Sequence, residues 1–163
     1  MNGSNLHKVI VVCLCAFSCL PDTNGRYYVD LKRIVNKRPQ EVEAVMGMPD
    51  STYWRVLMGR PVFCQLYRDE YLEIQYPGRT ATDIVVSGPH GLPFDQKALG
   101  AFGLNYHQQH PSDYRKNGYI RWVDFEAFSS ISFYNTRLDT AGRVQTFDIF
   151  FKAKAGPPKP GDN

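Results

Sequence analysis

Val62, Cys64 and Leu66 recur at every second place, and so do Leu72, Ile74 and Tyr76. A two-residue period is that of a strand with one buried face. The stretch therefore predicts a hairpin, with Asp69-Glu70 at its turn and Pro77-Gly78 closing the second strand. A third strand is expected at 82–87. Upstream the period changes. Leu31, Ile34 and Val35, then Val42, Val45 and Met46, fall at the spacing of one helix face. Two short helices follow from this, 30–36 and 39–46, meeting at 36–38. Pro39 suits a first helical position, and Glu41 suits the positive end of the helix. Gly47 is expected to close the second helix in the left-handed conformation, with Pro49 forbidding continuation.

The breaker cluster GPHGLP at 88–93 divides the chain. Beyond it, Asp95 can cap a helix within 94–105 that carries Ala98, Leu99 and Phe102 on one face and stops at Gly103. Strands are expected at 119–125, at 129–135 with Ile131 and Phe133 alternating, and at 143–153 with Phe147, Ile149 and Phe151 alternating. A turn at 139–142 joins the last two. The expected fold class is α+β, with short helices packed on an antiparallel β-meander. The half at 30–87 and the half at 88–154 read as a tandem pseudo-repeat, or as a chance match between common helix stops. The Pro/Gly-rich end, 155–163, is expected to be disordered.

The first residues do not belong to that pattern. MNGSNLHK precedes VIVVCLCAFSCL, an apolar run too short to span a bilayer. Ala16 and Ser18 supply small residues before Cys19, so 1–18 is read as an export leader and 19–29 as a tether. The leader resembles that of bacterial lipoproteins, which would make Cys19 the lipidated first residue, although Ala16 stands where those leaders usually carry leucine. Plain secretion is the alternative. If Cys19 is lipidated, Cys64 lacks an intramolecular partner; its alternation with Val62 and Leu66 makes it an expected buried thiol. No cysteine–histidine spacing points to structural zinc.

Composition narrows the functional classes. Of 163 residues 43% are hydrophobic, so a packed core is attainable, and the net charge of +3 is too small to argue for nucleic acid. The polar loop 105–118 holds His107, His110 and Asp113 at three-residue intervals, which could ligate a metal in an exported hydrolase. Pro111 opposes the helix that would align them. No nucleophile elbow or phosphate-binding loop accompanies them. The chain is also rich in aromatics, with 10 Tyr, 10 Phe and 2 Trp. Tyr53, Trp54, Tyr106 and Tyr114 are the candidate anchors for a protein partner, whereas Trp122, inside a strand, reads chiefly as core.

The stretch PQEVEAVMGMPD, 39–50, resembles the signature of the SmpA/OmlA lipoproteins and of the related β-lactamase inhibitor proteins. That resemblance implies short helices on one face of a small sheet, outer-membrane anchoring or secretion from a bacterial cell, and a non-catalytic role. The partner it implies is another envelope or secreted protein, held by a concave sheet face or by the helix–loop rim. It implies no cofactor.

Overall fold

The computed structural model describes residues 29–69, 71–107, 109–115 and 118–156. A 3-10 turn at Leu31–Arg33 leads into the helix α1, Pro39–Met46. Four strands follow: β1 Ser51–Leu57, β2 Arg60–Tyr67, β3 Leu72–Tyr76 and β4 Asp83–Ser87. A second 3-10 segment, Gln96–Phe102, precedes β5 Asp113–Arg115, β6 Tyr119–Phe125, β7 Phe128–Leu138 and β8 Val144–Ala153. All eight strands form one sheet in the order β1-β2-β3-β4-β8-β7-β6-β5, and every neighbouring pair is antiparallel.

The expected α+β class is corrected by this arrangement. The described chain is mostly one continuous antiparallel sheet, and α1 is its only α-helix. The helix expected at 30–36 fails because tertiary hydrogen bonds divert the chain. Asn36 takes a positive φ of 60°, its N–H donates to Ala81 O at 2.8 Å, and Ala81 N–H donates to Lys37 O at 2.8 Å. Arg38 is held extended before Pro39, so α1 must start afresh. In the 96–102 segment Gly100 sits in the middle, where it weakens any α-helix, and a Cβ there would lie 3.0 Å from the Tyr106 ring.

The main core cluster lies on one face, which β2 meets through Phe63, Gln65 and Tyr67. Val62 and Cys64, expected there with Leu72 and Ile74, are buried on the other face beside Arg55 and Tyr53. Ile74, Ile84, Phe151, Ile131 and Trp122 form a row across adjacent strands, each at a paired position, and all are buried. Leu31, Ile34, Val42, Leu99 and Phe102 join the same cluster from the helical segments. A polar network fastens α1 to the sheet: Gln65 Nε2 donates to Glu43 Oε1 at 2.6 Å. The Gln65 carbonyl oxygen in turn accepts from the hydroxyls of Tyr67, at 3.3 Å, and Tyr76. A buried amide is tolerated because its groups are paired. Strand β1 was not foreseen. It is an edge strand, its burial pattern lacks alternation, and a period-two signal exists only where one face is buried. It turns into β2 through Met58 and Gly59, with φ of 51° and 76°, the signs of a type I′ hairpin.

Gly47 does end α1, but not in the expected left-handed helical conformation. Its φ is 86° and its ψ −175°, a region nearly closed to residues with a Cβ. Its N–H donates to Glu43 O at 2.8 Å, and open space surrounds the missing Cβ. Strain alone therefore makes substitution costly. Gly47→Val is expected to destabilise the fold by about 1–3 kcal/mol. Gly78→Ala, at an open site with no positive φ, should stay within about 0.5 kcal/mol of wild type. Thermal melts of both variants check this, and an unchanged Gly47→Val melt would refute it.

Candidate functional site

Among the described residues, the helical segments cover one face of the sheet and leave the other open. On the open face the sheet curls into a trough with a volume of about 810 Å³, lined from β1 across to β6. A flat sheet has no such hollow, so the curvature itself creates the site. Alternation decides what lines it. Glu73, Asp83, Asp148, Lys152, Ser132 and Arg121 are the out-facing neighbours of the core residues. Arg55, Arg121 and Lys152 balance Glu73, Asp83 and Asp148. A balanced lining has no single-sign field to draw phosphate or nucleic acid. It suits a mixed polar surface.

Aromatic groups stand among these charges. The rings of Tyr119 and Tyr134 lie 5.0 Å apart, and Phe150 meets Tyr134 edge-on at 5.4 Å. Tyr134 is 45% and Phe150 41% exposed. Exposed aromatics already fixed by neighbours lose little entropy on contact.

Near β1 the trough ends in a cluster around Glu73. Arg55 Nη1 approaches Glu73 Oε1 at 3.0 Å, and Gln75 Nε2 donates to the same oxygen at 2.8 Å. The Tyr53 hydroxyl also bonds Glu73, and burial followed by that carboxylate pushes its pKa to about 12. Cys64, paired with Tyr53 across β1 and β2, is fully buried. Burial, then the charge of Glu73, pushes its thiol to about 11. A nucleophilic cysteine needs the opposite shift, so this thiol is a packing group.

The four expected anchors do not converge. Tyr53 and Trp54 are successive strand residues and therefore point to opposite faces: Tyr53 to the open face, Trp54 to the helix side, where its ring packs 5.4 Å from Phe63. Tyr114 sits on β5, opposite the buried Ile120, and shares the helix side. Seven strand spacings separate β1 from β5, a path of about 34 Å measured along the sheet at about 4.8 Å each. Tyr106 is half-buried against the core, with the His107 ring 4.0 Å from its own. Trp122 is core, 1% exposed.

The main-chain N–H of His107 donates to Asn105 Oδ1 at 3.2 Å, His110 is exposed in the loop, and Asp113 lies in β5. Among the described residues no group of three or more His, Cys, Asp or Glu could hold a metal. The expected leader 1–18, the lipidation candidate Cys19, the tether up to residue 28 and the tail from 157 lie outside the described residues. Among the described residues no helix is long and apolar enough to cross a membrane.

Sequence reasoning missed Arg55, Arg121, Tyr134, Phe150 and Lys152. Phe150 and Lys152 were nonetheless legible as the alternate positions between Ile149, Phe151 and Ala153. No protein-family model, curated protein or solved structure matches the chain.

The buried phenols and thiol make stability sensitive to alkali. Cys64 moves from 9.0 to about 11, and Tyr53 and Tyr67 from 10.0 to about 12. Each is neutral when protonated. Above its ordinary value the unfolded chain has released a proton that the fold still holds, so stability falls as pH rises. The loss is expected to begin near pH 9, to steepen from pH 10 and to continue to about pH 12. Cys64→Ala should delay its onset to about pH 10, where the tyrosines begin. Urea midpoints across this range check it; an onset unmoved in the variant would clear Cys64 of the effect.

Proposed function

We propose that this chain is an exported, non-catalytic binding protein that holds another envelope or secreted protein in the trough of its open sheet face. The observation that carries this reading is the pair Tyr134 and Phe150, exposed together on a curved floor of balanced charge. Aromatic anchors in a hollow, ringed by polar groups, are how binding energy concentrates at protein interfaces. The resemblance of 39–50 to the SmpA/OmlA and β-lactamase inhibitor families supports the same style of function, as an assembly factor or an inhibitor. Export rests on the leader 1–18, and attachment to an outer membrane rests on acylation of Cys19. The trough takes the place of the scattered anchors Trp54, Tyr106 and Tyr114, while Tyr53 remains at its β1 end.

The test uses the chain as bait on a membrane fraction of its host, then the captured protein in titrations. Tyr134→Ala and Phe150→Ala should each weaken binding by about 1–2 kcal/mol. Their melting temperatures should hardly move, because both side chains are exposed. Tyr114→Ala, on the other face, should bind as wild type. Unchanged affinity in the Tyr134→Ala/Phe150→Ala double variant would remove the trough from the interface.

Export has its own readout. N-terminal mass analysis of the protein from its host should show a chain beginning at Cys19, with a diacylglycerol mass that Cys19→Ser abolishes. An intact Met1 would contradict the leader.

A further inference from the structure

The two edges of the sheet are unlike. At one end β5 is only three residues long and closely follows Pro111, a guarded edge of the kind that resists pairing. At the other, β1 runs seven residues, STYWRVL, without proline, glycine or lysine. Its register with β2 is unbroken from Ser51 to Leu57. Trp54 is 68% and Val56 72% exposed. Long, regular, apolar edges are rare in sheets that stay alone.

The geometry of the hairpin says which groups this edge offers. In a hairpin closed by a two-residue turn, the residues flanking the turn exchange hydrogen bonds, and bonded positions alternate from there. Leu57, Arg55, Tyr53 and Ser51 thus bond toward β2. Thr52, Trp54 and Val56 direct their N–H and C=O groups outward. Their side chains also share the helix-side face, since they pair with Gln65, Phe63 and Pro61.

From these observations we propose that β1 is a self-association edge: two copies of this chain pair antiparallel through β1 about a two-fold axis at Trp54, joining their sheets into one. The register follows by comparing centres. An axis at Arg55 sets two guanidiniums directly opposite, which is repulsive. An axis at Tyr53 sets Val56 against the carboxylate Asp50. An axis at Trp54 places Trp54 on Trp54, Val56 on Thr52, and Arg55 on Tyr53, a cation beside an aromatic ring. It also lets all three outward residues exchange backbone hydrogen bonds. Arg55 is already paired with Glu73 of its own chain, so the seam carries no uncompensated like charges. The strand is complementary to itself, which is what a two-fold contact requires. Arg55 and Leu57 also line the trough, so pairing sets two troughs side by side on one face. The proposal does not depend on what the trough holds.

Sedimentation equilibrium of the chain should show a dimer that dissociates on dilution. Trp54→Lys should weaken self-association by about tenfold or more, while at dilutions where both chains are monomeric its melt stays close to wild type, since the side chain is 68% exposed. Register is read by disulfide trapping in a chain carrying Cys13→Ser, Cys15→Ser and Cys19→Ser, with Cys64 buried. Trp54→Cys should cross-link on mild oxidation, because residues facing each other at the axis have Cα atoms about 5.5 Å apart. Val56→Cys should not, because its own copy lies about 13 Å along the strand. The proposal is overturned by a chain that stays monomeric at every concentration. Undiminished association of Trp54→Lys overturns it equally, as does cross-linking of Val56→Cys as ready as that of Trp54→Cys.

Discussion

The pairing of β4 with β8 is the contact on which the rest of the molecule depends. Without it the chain would be two four-stranded meanders, each with its own exposed edge and little cover. With it Ile84 meets Phe151 and Val86 meets Ile149, and the buried cluster runs without a break from Tyr67 and Leu72 to Ile120 and Trp122. The contact is long-range: Ser87 pairs with Asp148, and Gly88 N–H also donates to the Asp148 carboxylate at 3.1 Å. Closing so large a loop costs entropy before any contact is made. The aromatic row on β7 and β8, where Phe133 stacks on Phe147 and Phe151 meets Phe102 and Phe128, is the apolar burial that offsets it.

A single sheet with few and short helical segments can be covered on one side only. That scarcity explains both halves of the molecule. On the covered side almost every alternate residue is buried, and even the amide of Gln65 is drawn into a paired network that holds α1 in place. On the other side the same strands must present charges and small polar groups to water. The curl of the sheet gathers these groups, with Tyr134 and Phe150 among them, into a hollow. The binding face is thus a consequence of incomplete cover and curvature, and no separate loop is needed to build it.

The Glu73 cluster shows how the open face is held in shape. One carboxylate receives Arg55, Gln75 and Tyr53, groups from β1 and β3 that straddle β2. It closes over Cys64 and keeps that thiol dry. The arrangement stiffens the β1 end of the trough, while Arg121 and Lys152 stand exposed toward the other end.

The sequence by itself determined the elements whose signal is local. Period-two alternation located β2, β3, β7 and β8, and strands were also expected at β4 and β6; Pro39 and Gly47 bounded α1. Cys64 is buried as expected, but Val62, Cys64 and Leu66 face away from the core, which β2 meets through Phe63, Gln65 and Tyr67. Burial on one face leaves that imprint on composition. The tertiary structure decided what has no local imprint. Edge strands β1 and β5 are exposed on both faces, so no alternation marks them. The helix expected at 30–36 gave way to hydrogen bonds with Ala81, a partner far along the chain. Tyr53 and Trp54 look like neighbours in the sequence, yet strand geometry sends them to opposite faces. Tyr134 and Phe150 look unrelated, yet the pairing of β7 with β8 puts them side by side. A chain can encode which residues are apolar at each step, but which of them share a surface depends on strand order, and strand order is settled by contacts between residues distant in sequence.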